Sequence, residues 1–159
     1  MQPLAGFGED GQRTAGLFSQ VGEHRGTVTV GEPVILSVNV EDISERDTTD
    51  PRFLEPIAIG VEFSKYQGPG MVAFEHHEST AIPENPYKEG NPRFRFFREI
   101  TPGQVKVEGG SGLAKTIATF SEPGEYMIHT KIDNFAGPDS SNGDQCCWTN
   151  IVQKVTVSP

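Results

Sequence analysis

The chain lacks the features that mark several large classes of protein. It has 13 Lys and Arg residues against 22 Asp and Glu residues, a formal net charge of -9. This acidic balance excludes nucleic acid as a partner, because the phosphates would be repelled. No apolar run approaches the roughly 20 residues that a membrane helix needs, so we expect no membrane insertion. The sequence also has no sustained helical period, no phosphate-binding loop and no nucleophile–base pair, so we do not expect an enzyme.

Cysteine and tryptophan are scarce, and they lie together at Cys146, Cys147 and Trp148. Three interpretations of the thiols are open: a vicinal disulfide whose rigid turn stacks on a sugar ring, two thiols on opposite faces of a strand, or one thiol bonded to a partner chain. Geometry disfavours the first, because adjacent Cα atoms lie ~3.8 Å apart and ordinary disulfides need roughly 5.5 Å. Trp148 either offers a stacking face to a ligand or packs over a sheet edge.

Glycine and proline, by contrast, are plentiful, with 18 Gly and 12 Pro among 159 residues. Many short strands joined by turns require such a composition. Apolar residues alternate with other residues over 34–40, 57–63 and 126–132, which is the period of half-buried strands. Turns are indicated by Gly68-Pro69-Gly70 and by Pro123-Gly124. The chain is therefore predicted to be all-β.

The domain organisation follows from where these patterns begin and stop. We predict a single immunoglobulin-like antiparallel β-sandwich over residues 26–159, preceded by a loosely docked N-terminal arm at 1–25. A long insertion at about 75–112 interrupts the sandwich, and prolines recur in it. Within this insertion, strands are predicted at 94–100 and 104–108.

Two segments carry a family resemblance. They are Phe63-Ser64-Lys65-Tyr66-Gln67-Gly68-Pro69-Gly70 and Ala118-Thr119-Phe120-Ser121-Glu122-Pro123-Gly124-Glu125-Tyr126. They resemble the polycystic-kidney-disease-type (PKD-like) immunoglobulin domains of bacterial surface and secreted proteins, although Phe63 stands where that family usually has Trp. The resemblance implies adhesion, spacing, or contact with carbohydrate or protein. Tyr126 lies where sandwich domains place a corner tyrosine that bonds back to the upstream loop.

Two groups of residues suggest metal sites. His76 and His77 follow a short strand and His129 lies on the outward face of a late one; they form a transition-metal site or are solvated histidines. Adjacent strand residues point to opposite faces, so His76 and His77 reach one metal only where the segment turns. Calcium is suggested by a loop dense in oxygen ligands, although such residues also populate any long turn. The calcium candidates are Asp133, Asp139, Asn142 and Asp144.

The insertion contains the concentrated basic and aromatic segment of the chain. Arg93, Phe94, Arg95, Phe96, Phe97 and Arg98 follow one another. Of these, Arg93, Arg95 and Phe97 are predicted to share one strand face. The segment is either a contact strand for a partner protein or anionic glycan, or an edge strand whose phenylalanines cap the core and whose arginines deter pairing.

Three hypotheses of function follow. The first is a non-catalytic, extracytoplasmic binding or spacer module that contacts protein or glycan, with any leader removed ahead of Met1. The second is a metal-binding protein or metalloenzyme that uses His76, His77, His129 and nearby carboxylates. The third is a structural subunit of a filament or coat, which self-assembles through the 1–25 arm or the 93–98 strand. The second hypothesis requires a transition metal, whereas Ca²⁺ would suit the first.

Overall fold

Two facing sheets make up the computed structural model, which describes residues 1–18, 20–134 and 148–159. The strands are β1 (Leu4–Phe7), β2 (Gln20–Glu23), β3 (Val28–Thr29), β4 (Pro33–Glu41), β5 (Ile59–Gln67), β6 (Val72–His76), β7 (Gln104–Val107), β8 (Ser111–Phe120), β9 (Gly124–Asp133) and β10 (Trp148–Ser158). Short 3₁₀ turns lie at Pro51–Phe53 and Phe94–Phe96. Within these described residues, no helix is long and apolar enough to cross a membrane.

The strand order is that of an immunoglobulin-like sandwich. The four-stranded sheet has the order β1-β4-β8-β6 and the six-stranded sheet the order β2-β10-β9-β5-β7, with β3 also paired to β10. The sequence β1-β4-β8-β6 corresponds to the A-B-E-D sheet of constant-type domains, and β10-β9-β5 corresponds to G-F-C. All pairings are antiparallel except those of β2 and β3 with β10. The predicted all-β, immunoglobulin-like fold is confirmed.

The core lies between the sheets, where the alternating side chains of both meet. Apolar alternation with period two places every second residue on the inner face, and the long strands β4, β5, β8, β9 and β10 each contribute at least one fully buried residue. Phe63 is 4% exposed and Tyr126 is 0% exposed. The buried core residues of the longest strands are Leu36, Val38, Val40, Ile59, Val61, Ala114, Ala118, Phe120, Ile128, Ile132, Ile151, Val155 and Val157.

Tyr126 closes one end of the sandwich as a corner tyrosine. Its hydroxyl donates to the Glu122 carbonyl at 2.9 Å and accepts from the Gly70 backbone N–H at 3.1 Å. Its ring lies 4.8 Å from the Phe120 ring, edge to face. A Cβ atom at Gly68 would lie 2.3 Å from the Tyr126 ring, so glycine is required where the β5–β6 connection, which crosses from one sheet to the other, passes over the phenol. The structure places Tyr126 as predicted.

The N-terminal residues differ from the prediction of a loosely docked arm. Within 1–25, β1 pairs with β4 in one sheet, and β2 pairs with β10 in the other. Asn39, on the outward face of β4, donates to the carbonyls of Gly6 at 3.1 Å and Gly8 at 2.8 Å. Its own carbonyl accepts from Arg13 at 2.5 Å. The N-terminal segment docks because the buried side-chain amide of Asn39 provides hydrogen bonds to its backbone carbonyls. The pattern of apolar residues in the sequence does not reveal such a polar interaction.

A polar network joins the β4–β5 loop to the end of β9. The Asp42 side chain is 3% exposed, and its carboxylate lies 2.6 Å from the guanidinium of Arg46. The same carboxylate accepts hydrogen bonds from the Ser44 hydroxyl at 2.7 Å and from the Asn134 side-chain amide at 3.2 Å. Burial alone would raise the pKa of Asp42, but the hydrogen bonds from Ser44 and Arg46 outweigh burial, so the pKa lies below its usual value.

This network predicts an acid-sensitive contribution to stability. Because the folded pKa of Asp42 is lower than its unfolded pKa of about 3.9, the contribution is complete above that value and is lost as the pH falls through the folded pKa. Asp42→Asn is expected to lower the free energy of unfolding by about 1 kcal/mol at neutral pH. Urea denaturation from neutral to acid pH should show this difference shrinking as the pH falls through the folded pKa of Asp42. A difference that stays constant with pH would contradict the assignment.

Candidate partner-binding site

The chain between β6 and β7 leaves the sandwich at residues 77–103 and returns through a glycine. Gly103 has φ +93° and its carbonyl accepts from the Phe63 backbone N–H at 2.8 Å. A Cβ atom at Gly103 would lie 2.9 Å from the Phe63 carbonyl oxygen, so only glycine fits the close approach. Since β6 and β7 are edge strands of the two sheets, the excursion lies along one lateral side of the sandwich.

Two asparagines shape the excursion into a turn. The side-chain oxygen of Asn91 accepts a hydrogen bond from the backbone N–H of Arg93 at 2.9 Å. The backbone carbonyl of Asn91 accepts a hydrogen bond from the backbone N–H of Phe94, also at 2.9 Å. The Asn85 amide donates to the Phe94 carbonyl at 3.0 Å, and Phe96 N–H donates to the Arg93 carbonyl at 3.0 Å. These local bonds replace ladder hydrogen bonds. The predicted strand at 94–100 is therefore wrong, whereas the strand predicted at 104–108 is confirmed as β7.

Sequence reasoning missed these asparagines as the residues that set the conformation. The signal was present, because Asn85-Pro86 and Asn91-Pro92 are dipeptides of a kind that marks turns. Without these Asn-Pro dipeptides, a short alternation of Phe and Arg looks the same as the alternation of a β-strand.

Residues 93–98, here called the arginine–phenylalanine segment, face solvent. Phe94 is 41% exposed and Phe96 is 63% exposed, and no residue of the 3₁₀ turn is buried. Phe97 is half-buried, and Arg95 lies 5.0 Å from the centre of the Phe96 ring. The interpretation as an edge strand that caps the core is wrong, because the exposed phenylalanines lie outside the core. Exposed aromatic side chains with stacked arginine are typical of contact surfaces.

The arginines of this segment are not neutralised by the fold. Among the residues that the structure describes, none of Arg93, Arg95 and Arg98 forms a salt bridge. The Arg98 guanidinium reaches only the Arg95 carbonyl, at 3.4 Å. In a chain of net charge -9, the segment is a local cationic surface. Its planar guanidinium groups can bind carboxylates or sulfates in bidentate fashion.

The histidines proposed as metal ligands are not brought together. His129 lies on the outer face of the six-stranded sheet, where Nε2 donates to the Asn150 carbonyl oxygen at 2.8 Å and Nδ1 lies 3.3 Å from the Ser64 hydroxyl. His76 ends β6 of the other sheet, and His77 Nδ1 bonds to Ser79. Nowhere in the described ranges do three His, Cys, Asp or Glu side chains group to hold a metal. The predicted three-histidine site is wrong.

The remaining candidates lie at or beyond the end of β9. Asp133 is the last residue of β9, with its carboxylate 3.4 Å from Lys131 Nζ. Trp148 begins β10 opposite Asp133 and is half-buried. Asp139, Asn142, Asp144, Cys146 and Cys147 lie outside the described residues. Calcium binding and the state of the thiols stay predictions.

Comparison with known proteins identifies no family for the chain. No family of known sequences matches the chain, and no curated protein does. Among solved structures, WR4, a member of the MSP family from C. elegans, has 10% identity and TM-score 0.38, covering 87% of this chain and 92% of that one. The ASH/PapD-like domain 7 of human CEP192 has 11% identity and TM-score 0.41, covering 84% and 78%.

A conjugative transposon lipoprotein from Bacteroides eggerthii has 7% identity and TM-score 0.38, covering 80% of this chain and 86% of that one. At such identities and scores, the class assignment depends on the strand order described above. The chain is an immunoglobulin-like β-sandwich with an exposed arginine–phenylalanine segment on one lateral side.

Proposed function

We propose that the chain is a non-catalytic binding module whose arginine–phenylalanine segment contacts an acidic, partly apolar surface of a partner protein. The observation that carries this proposal is the exposure of Phe94 and Phe96 beside arginines that no described carboxylate neutralises. Arginine and aromatic residues dominate the energetic centres of protein interfaces. A fold that needed this segment for its own core would bury it.

A protein partner suits the segment better than a glycan. Phenylalanine offers apolar area without a hydrogen-bonding group, whereas Tyr and Trp combine an apolar face with a polar handle. Phe94 and Phe96 would therefore gain more from an apolar protein surface than from a hydroxyl-rich sugar ring. The arginines would then pair with carboxylates at the rim of the contact.

The test is a binding measurement with two defined probes. Fluorescence anisotropy would compare a labelled peptide of alternating Glu and Leu with a labelled heparin oligosaccharide, at low and high salt. Arg93→Glu with Arg95→Glu is expected to weaken peptide binding by about tenfold or more, the equivalent of about 1.4 kcal/mol. Phe96→Ser should weaken peptide binding and leave heparin binding nearly unchanged.

A control variant separates the segment from the overall charge. Lys131→Glu with Lys154→Glu changes the net charge equally but lies on β9 and β10, so peptide binding should stay near the parent value. Equal loss in both variants would show that only net charge matters. Preferential binding of heparin that does not depend on Phe96 would favour a glycan partner, and no binding of either probe would refute the site.

A PKD-like, extracytoplasmic setting is part of the same proposal. It is supported by the resemblance of the β5–β6 connection and the β8–β9 corner to that family and by the use of such sandwiches as spacers. Cell fractionation with an antibody against the chain tests it, and recovery in the cytoplasmic fraction alone would contradict it.

A further inference from the structure

A groove of about 990 Å³ opens on the lateral side of the sandwich opposite the arginine–phenylalanine segment. It lies between the edges formed by β1 and β2, whereas the segment joins the edges formed by β6 and β7. The side chains that matter for its chemistry are Glu9, Asp10, Glu23, Ile35, Ser37 and Gln153. We call it the lateral groove.

One wall of the lateral groove is an incomplete sheet edge. β1 pairs only with residues 38–41 of β4, and Gly8 then donates to the Ser37 carbonyl at 2.9 Å before the chain turns away with φ +66°. On this side, residues 33–36 have no strand partner within the described ranges. Ile35 is 50% exposed at this edge. An unpaired edge with an apolar side chain is a template for an extended segment.

The floor of the groove carries a polar group where the pattern calls for an apolar one. Gln153 lies on the inner face of β10, because it alternates with Ile151 and Val155, which are both fully buried. It is 8% exposed, and its amide makes no hydrogen bond to any residue described by the structure. Because Gln153 lines the groove, its amide is open to a ligand group that reaches the floor, and such a group would gain a hydrogen bond.

The charge of the groove is negative. Glu9, Asp10 and Glu23 are carboxylates on its rim, and Glu9 lies 3.6 Å from Lys115. Arg25 is a cation in the lining, and burial lowers the pKa of the neighbouring His24, which favours its uncharged form. The net charge of the lining therefore favours a cationic segment.

We propose that the arginine–phenylalanine segment of one copy docks in the lateral groove of a second copy. This inference rests on the proposed function and names the partner: the segment supplies guanidinium groups for Glu9, Asp10 and Glu23, and a phenylalanine for Ile35. The 3₁₀ turn buries none of its residues, so docking takes no side chain of this turn out of the core. Because donor and acceptor lie on opposite sides of the sandwich, the contact is head-to-tail and propagates from copy to copy.

The decisive experiment mixes two variants that are each defective in one half of the contact. Arg93→Ser/Arg95→Ser/Arg98→Ser removes the donor without creating a segment that attracts a basic groove, and Glu9→Lys/Asp10→Lys/Glu23→Lys removes the acceptor. In sedimentation velocity, the parent protein is expected to grow in average mass with concentration and to dissociate at high salt. Each variant alone should stay monomeric, and their equimolar mixture should form 1:1 dimers and nothing larger, because only one productive contact is left.

Matched controls keep the proposal falsifiable. Glu62→Lys/Glu75→Lys/Glu122→Lys changes the charge as the acceptor variant does, at exposed positions away from the groove, and should assemble like the parent. Ile35→Arg is a second acceptor variant that leaves the core intact and should also stay monomeric.

A parent protein that stays monomeric at all concentrations, or a mixture that forms no dimer, would overturn self-docking. If the Glu-Leu peptide still bound through Arg93 and Arg95 in that case, the proposed binding function would stand without this partner. If peptide binding failed as well, both proposals would fall.

Discussion

Replacing Phe63 with alanine is expected to lower the free energy of unfolding by about 3 to 5 kcal/mol. Phe63 is 4% exposed and lies on β5, which pairs with β9 on one side and β7 on the other. Its backbone N–H also holds the returning excursion at Gly103. Removing the ring leaves a cavity between the sheets, and the strands on both sides limit how far the structure can collapse to fill it.

Chemical denaturation with a two-state fit measures this loss, and an outward neighbour supplies the control. Glu62 lies on the same strand with an exposed side chain, so Glu62→Ala should change the stability by no more than about 0.5 kcal/mol. A similar, small change for both variants would mean that Phe63 does not fill a core position and that the register of β5 is different.

Removing the hydroxyl oxygen of Tyr126 is expected to lower the free energy of unfolding by about 1 to 3 kcal/mol. In Tyr126→Phe, the ring keeps its packing against Phe120, but the Glu122 carbonyl loses its donor and the Gly70 N–H loses its acceptor. The Gly70 group is buried, so water does not readily replace the lost hydroxyl. The connection between β5 and β6 should therefore loosen at this corner.

Thermal and urea denaturation of Tyr126→Phe test the corner, with Tyr66→Phe as the matched change. Tyr66 is 65% exposed, so the loss of its hydroxyl should be nearly neutral. Hydrogen exchange should show faster exchange of the Gly70 amide in the Tyr126 variant alone. An unchanged melting temperature for Tyr126→Phe would contradict the corner assignment.

The parts of the fold that were predictable are those with a long local pattern. The sandwich could be predicted from the alternation over β4, β5 and β9 and from the turn residues at 68–70 and 123–124. The reason is that the residues on the buried face of a strand can be identified from the apolar alternation within that strand. The corner role of Tyr126 followed from its place just after such a turn. The arginine–phenylalanine segment was visible as composition, but its exposure was not.

The parts that were missed depend on contacts between distant residues. β1 and β2 are four residues each, too short to show a period, and they are held by Asn39 and by parallel pairing with β10. The lateral groove exists only because β1 leaves β4 at Gly8 while β2 joins the other sheet. Gln153 could be read as an irregularity in the pattern of β10, but not as the floor of a cavity.

By itself, the sequence determined an all-β chain, the inward faces of its long strands and the residues of its main turns, since these depend on side-chain alternation and backbone preference over a few neighbours. Only the tertiary structure decided which edges stay open, where the basic segment and the acidic groove lie, and that they face opposite ways. Those properties depend on the order of strands across each sheet, and strand order is set by long-range pairing that no local window contains.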